Sequence, residues 1–266
     1  MMPTRSYVHS VGRALVPLLL AVGLAAPLGG RALAAPPSAA AWSYQGATGP
    51  ARWADLSPGF AACRTGQRQS PIDIRTVQPI PYEPLQPRYR SQPLDAVNDG
   101  RGVNVLIQPG SELRVGGLSY NLTALHFHVP GETLINGVAA AAEIHLVHLD
   151  RDGRHAVVVV PIQPGPHPNS ALVRIAERLP LRAGERVNYR QLGINALLLL
   201  PPDRGYYRYT GSFANPPCSE PVTWFILAAP VELAPELIGR IARATGGNAR
   251  PAQPLNGRPV FVSLPH

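Results

Sequence analysis

In ALHFHVPGE (124–132), His126 and His128 stand one residue apart, and EIHLVH (143–148) adds His145 and His148. Half of the eight histidines of the chain therefore fall in one short region. Histidine is the commonest metal ligand, so the pattern raises the chemistry of a bound metal ion. Side chains alternate along a strand, which puts His126 and His128 on one face and Leu125, Phe127 and Val129 on the other. On a second strand, Glu143, His145 and Val147 share a face, while Ile144, Leu146 and His148 share the opposite one. Either His145 or His148 can join the HxH pair, but not both. Three converging histidines with no cysteine nearby suit a catalytic zinc site that keeps its fourth position open; a structural site closes with four protein ligands. Glu143 could accept the free ring N–H of a ligating His145 and fix its tautomer. The competing reading is a group of core histidines bonded to backbone, and the HxH spacing with a third histidine on a partner strand weighs against it.

The elements that must position these residues are short β-favouring runs cut by Pro and Gly. They are GVNVLIQ, ELRVGG, SYNLTALHFHV, AAAEIHLVHLD, HAVVVVPIQ, ALLLLPP, YYRYTG, VTWFILAAPV and RPVFVSL. Pro130-Gly131 ends the first histidine strand, and Asn136-Gly137 is a strong hairpin signal that returns the chain antiparallel through Glu143 to Leu149. Helical spacing is found only in SALVRIAERLP (170–180) and APELIGRIARAT (234–245), the second with Pro235 at an early helical position. WSYQGATGPARWADL shows neither period and reads as irregular. No repeat or composition shift marks a second domain. The expectation is a mainly β single domain with a few short peripheral helices.

Composition narrows the function classes. Residues 1–34 hold three arginines and no acid, an apolar run from Ala14 to Leu28, and the small-residue pattern Ala32-Leu33-Ala34. This reads as a secretory signal peptide cleaved after about Ala34. The apolar run, interrupted by Pro17 and Pro27, is short for a span of ~20 residues. Residues 35–41 (APPSAAA) read as a flexible linker, and 42–266 as the folded domain. The formal charge of +8 drops by three to +5 when the leader leaves, and all 24 basic residues are arginine. No basic run interleaved with aromatics supports nucleic-acid binding. Cys63 and Cys218 are the only cysteines. In an oxidising compartment such a pair most simply forms one disulfide.

Beyond these readings, WSYQGATGPARWADL, QRQSPIDI, LHFHVPGE, AEIHLVHLD, YTGSFANPPCSEPVTW and RPAQPL resemble, in this order, the α-class carbonic anhydrases of the exported bacterial type. The resemblance runs from about Trp42 to the C-terminus. It implies a large, twisted, mostly antiparallel central sheet and reversible hydration of carbon dioxide to bicarbonate and a proton. It also implies Zn2+ on His126, His128 and His145, with His148 a buried structural histidine. Glu143 matches the acid that supports the third ligand, and Glu132 the buried glutamate that orients the reacting network. Val147, Val157, Phe213 and Trp224 match the apolar wall of the substrate pocket. Tyr44, Tyr209, Asn248 and Arg250 match groups around the site, and Cys63–Cys218 the family disulfide. A periplasmic or secreted enzyme, monomer or dimer, free of the membrane after leader cleavage, is the implied state.

Several positions depart from the family pattern. Ala214 stands where a threonine hydroxyl is expected to link the reacting group to Glu132. Its neighbour Asn215 carries an amide that could take that role, so Glu132 and Asn215 are the expected catalytic pair. Arg101 stands at the place of the proton-carrying histidine, and arginine does not titrate near neutral pH. Ala124 replaces a glutamine ahead of the first ligands, and Thr133 replaces a histidine after Glu132. Reduced efficiency is therefore expected. The alternatives are a zinc-retaining but nearly inactive binding protein on the same fold, or a zinc hydrolase of small esters.

Overall fold

A computed structural model describes residues 41–264, so the expected leader and nearly all of the linker lie outside the described residues. A thirteen-stranded mixed sheet dominates. Its main path runs Arg186–Ile194, Gln92–Asn98, Val103–Leu106, Leu118–His128, Ala142–Leu149, His155–Pro164, Val222–Leu227, Tyr206–Gly211, Phe261–Ser263 and Gln78–Pro79. Most neighbours are antiparallel, but His155–Pro164 runs parallel to Val222–Leu227, and Phe261–Ser263 parallel to Gln78–Pro79. The two histidine strands sit mid-sheet, where both edges are paired and neither can slip.

Alternation divides the sheet into two faces. Leu125, Phe127, Ile144, Leu146, Val158 and Val160 point into the larger core, which is covered by helices Ser170–Ala176 and Pro235–Thr245 through Leu172, Ile175 and Ile241. The other face carries Val157, Val159, Trp224 and Ile226 in a smaller core with Ile72, Ile74, Tyr209 and Ala214. A strand buried on both faces keeps one polar set only where that set has its own partners. Here that set is the histidine face.

Both expected helices form, and most of the strand expectations hold. Ala196–Leu199 is a 3-10 helix, started when the Asn195 side chain accepts the Leu197 N–H. Its cap, its exposed Leu198 and the following Pro201-Pro202 defeat a strand pattern that the leucine run suggested. Gln92–Asn98 and Arg186–Ile194 form strands that were not expected, because Gln, Asp, Asn and Arg dilute their apolar alternation. Trp42–Leu56, expected to be irregular, winds into 3-10 turns and the short helix Trp53–Leu56.

Another difference concerns the histidine hairpin. Asn136 and Gly137, at φ 52° and 82°, do make a tight turn, as a two-residue hairpin with positive φ at both positions requires. They join Leu134–Ile135 to Val138–Ala139, which with Asp73–Ile74 build a separate three-stranded sheet. The histidine strands are antiparallel as expected, but the link between them is the whole excursion 129–141. That excursion carries Glu132 and Thr133 beneath the histidines. Cys63 and Cys218 form the disulfide, closing a separation of 155 residues.

Candidate metal centre

Cross-strand register assembles the site. His145 lies directly opposite His126, and Glu143 opposite His128. Opposed residues project from the same face, so these four side chains gather on one side of the sheet. Ring centroids lie 5.1 Å apart for His126–His128, 5.2 Å for His126–His145 and 4.3 Å for His128–His145. One ring nitrogen from each falls within 4.8 Å of the other two. His148 points the other way, fully buried, with its Nε2 2.8 Å from the Tyr89 hydroxyl. Of the two histidines that alternation left open, the structure brings His145 to the pair.

Two of the three rings are held from behind. His128 Nδ1 lies 2.8 Å from the Asn248 carbonyl oxygen, and His145 Nε2 lies 2.6 Å from Glu143 Oε1. Carbonyl and carboxylate oxygens accept, so these nitrogens carry the ring protons, and His128 Nε2 and His145 Nδ1 keep lone pairs. Asn248 is fixed in turn: its amide donates to the Phe127 carbonyl at 2.8 Å and its Oδ1 accepts the Val129 N–H at 3.2 Å. Burial holds His126 and His145 down at about 3 and His128 well below the usual imidazole value. All three are therefore neutral at working pH, the form that binds a metal. His128 Nε2 is buried without a protein partner. His148 Nδ1 is likewise buried without a partner, but His148 lies outside the cluster, whereas the free nitrogen of His128 belongs to a ring that gathers with His126 and His145, as a shared metal requires. The residues fit a zinc ion.

Below the rings sit two carboxylates. Glu132 Oε1 accepts the Arg250 backbone N–H at 2.7 Å, while Oε2 is buried without a partner. Burial and the nearby Glu143 push Glu132 well above the usual carboxylate range, and burial pushes Glu143 up as well. The Thr133 N–H reaches Glu143 Oε2 at 3.3 Å.

The cleft above the rings has two unlike walls. Ala124, Val147, Val157, Phe213, Ala214, Pro217 and Trp224 line an apolar side. Trp42, Tyr44, Asp99, Arg101 and Asn248 line a polar one. His126, His128, Asn104, Asn215 and Pro216 belong to both. A small apolar molecule can rest on the first wall while an ion leaves along the second.

The family model described as eukaryotic-type carbonic anhydrase matches residues 48–264. The chain belongs to this family. It is 35% identical to the carbonic anhydrase of Nostoc sp. over 84% of this chain and 86% of that protein. To the carbonic anhydrase of Pectobacterium carotovorum it is 36% identical, over 83% and 90%. The solved α-carbonic anhydrase of Thermovibrio ammonificans, in complex with the inhibitor sulfanilamide, superposes with a TM-score of 0.81 at 36% identity. The match covers 84% of this chain and all of that one.

Against that carbonic anhydrase pattern, the departures are now placed. Ala214 is buried in the smaller core and lines the apolar wall with a methyl where the family pattern has a hydroxyl. Asn215 lines the cleft, but its amide makes no hydrogen bond among the described residues, and its carbonyl accepts the Cys218 N–H at 2.9 Å. The bond to Glu132 that its sequence position allowed is not made. Arg101 lies over the Trp42 ring at 4.6 Å and bonds Asp99 at 3.3 Å. Trp224 stands edge-on to His145 at 5.2 Å, and Tyr209 stacks on Trp224 while its hydroxyl donates to Ser70 Oγ at 3.1 Å. Asn104, Trp42 and Asp99 were missed from the sequence. Asn104 alone carried a signal: it is the polar position of the otherwise apolar run Val103–Leu106.

Proposed function

We propose that this chain is an exported α-carbonic anhydrase that hydrates carbon dioxide reversibly, with zinc held by His126, His128 and His145 and with lower efficiency than the family pattern provides. The observation that carries this reading is the trio of neutral imidazoles, His128 and His145 buried and His126 half-buried, opening onto an apolar wall. A zinc ion in a three-histidine site supplies a strong nucleophile at neutral pH by lowering the pKa of water to ~7. The protein contributes the rest. Val147, Val157 and Trp224 form the surface that would hold carbon dioxide, which has no polar demand to satisfy. Glu143 and Asn248 keep His145 and His128 in single tautomers, so their lone pairs face inward without rearrangement. Glu132 supplies an acceptor for a proton on the reacting group. Bicarbonate leaves along the polar wall of Tyr44, Arg101 and Asn248. The disulfide and the leader pattern of residues 1–34 support export to the periplasm or beyond.

The test pairs metal analysis with stopped-flow hydration of carbon dioxide. Purified mature protein should hold close to one zinc per chain and hydrate carbon dioxide, and His145→Ala should lose both. A wild-type protein without zinc would sink the reading. A second reading, a zinc-retaining binding protein with little turnover, is favoured by Ala214, where the family pattern has a hydroxyl, together with a Glu132 Oε2 that is buried without a partner. Dioscorin, solved in complex with ascorbate, shares this fold at a TM-score of 0.78 and 29% identity. Full zinc occupancy without measurable hydration would select that reading.

A further inference from the structure

Of the three clustered rings, His126 is the one held by nothing. His128 donates to Asn248 and His145 to Glu143, whereas His126 makes no hydrogen bond among the described residues. The residue two places earlier on the same strand and face is Ala124, whose methyl accepts nothing. A ring free to turn about its side-chain torsions loses rotational freedom when a metal fixes it, and its tautomer is left open as well.

The neighbouring strand Val103–Leu106 puts one polar side chain within range. Asn104 is directly opposite His126, while Val105 and Leu106 oppose Leu125 and Ala124. Opposed pairs place their Cβ atoms about 4.5–5.5 Å apart on the same face. Both residues line both walls of the cleft. The Asn104 side chain, like that of His126, makes no hydrogen bond among the described residues, so nothing competes for it. Asn248, the other amide nearby, is already engaged by Phe127 and Val129. Asn215 projects from the loop after Ala214 and not from the strand beside His126.

We infer that Asn104 is the positioning residue for His126: once a metal fixes the ring, the Asn104 amide oxygen accepts the ring N–H that Ala124 cannot. The third histidine is thus steered across the sheet instead of along its own strand. The inference rests on the zinc reading of the cluster, and the measurements keep the two apart.

Zinc affinity is measured by chelator competition on wild type, Asn104→Leu, Asn104→Asp and Ala124→Gln combined with Asn104→Leu, with thermal unfolding as a check that each folds. Losing such a supporting bond typically weakens metal affinity roughly 10- to 100-fold. Asn104→Leu should lose about that much. Asn104→Asp, which keeps an acceptor, should stay near wild type. Ala124→Gln should recover most of the loss by restoring an acceptor along the strand. In proton NMR of the zinc-loaded protein, the His126 ring N–H should be protected from solvent exchange in wild type and exposed in Asn104→Leu. Wild-type zinc binding with unchanged affinity in Asn104→Leu overturns the inference and leaves the proposed function standing. The same loss in Asn104→Asp as in Asn104→Leu, or loss on Asn215→Ala in place of Asn104→Leu, overturns it too. A wild type that binds no zinc overturns both.

Discussion

Ala214 has the largest expected consequence of any single residue. A hydroxyl there could donate to Glu132 Oε2, which is buried without a protein partner. Preorganised hydrogen bonds of this kind lower barriers by ~2.7–4 kcal/mol, or about 100- to 1,000-fold in rate. Ala214→Thr should therefore raise kcat/KM for hydration, up to that range, with zinc content unchanged. Adding Glu132→Gln should remove most of the gain, because an amide cannot replace the carboxylate as acceptor on both oxygens. A neutral Ala214→Thr would show that the site does not need the hydroxyl. Arg101 bears on the proton. Its guanidinium bonds Asp99 and lies over Trp42 where the family pattern has a proton-carrying imidazole, so the imidazole relay is missing. Turnover at saturating carbon dioxide should rise with the concentration of an imidazole-type buffer, and Arg101→His should flatten that rise. A flat wild-type response would contradict this assignment.

At the scale of the element, the strand Ala142–Leu149 presents two chemistries from its two faces. His145 faces the cleft, while three residues on, past a register shift after Val147, His148 is sealed in the core against Tyr89. His148→Asn should keep zinc where His145→Ala loses it. Burial also holds His148 down at about 4, from an ordinary value of 6.5. The sign follows directly. Between those values the unfolded chain takes up a proton that the folded chain refuses, so stability falls as pH drops from about 6.5 toward 4. The loss amounts to about 3 kcal/mol, at ~1.4 kcal/mol per pH unit. Urea unfolding at a series of pH values should show a slope to which the lowered His126, His128 and His145 also contribute, and His148→Asn should be shallower than wild type by about the His148 share. An identical slope would mean that His148 is not the titrating group. The histidine link teaches a related point. Asn136-Gly137 was legible as a turn from its residue types, yet which strands it joined was not, because a two-residue turn specifies only its immediate flanks.

The whole molecule ties the N-terminal turns to the floor of the site through few covalent and polar links. Cys63–Cys218 closes a separation of 155 residues, and the Arg250 guanidinium donates to the carbonyl oxygens of Cys63 and Ser70 at 3.0 and 2.7 Å. The backbone N–H of the same arginine holds Glu132. Reduction should release chain entropy in the unfolded state and destabilise the protein by ~2–5 kcal/mol. Denaturant unfolding with and without reductant measures this, and thiol titration under denaturing conditions should find none before reduction. Two free thiols in protein recovered from an oxidising compartment would contradict the bond. The aromatic group Trp42, Tyr44 and Trp53, with ring centroids 5.4–5.6 Å apart, belongs to the same module, and its Trp42 and Tyr44 form part of the polar wall.

The sequence by itself determined what depends on residue type and on a period of two. It determined that His126 and His128 share a face, that Glu143 goes with His145, that two cysteines pair, and that a β sheet bears the site. Its match to a known family pattern then singled out His145 and the apolar wall. Tertiary structure alone decided what depends on register between distant strands and on the path of loops. It put His145 opposite His126 and Asn104 opposite His126 from the other side. It folded the excursion 129–141 so that Glu132 lies beside the rings, and it left the Asn215 amide without a bond to Glu132. Alternation along a strand is local and is written into backbone geometry. The pairing of one strand with another is chosen by the packing of both sheet faces together, and no short stretch of residues contains that choice.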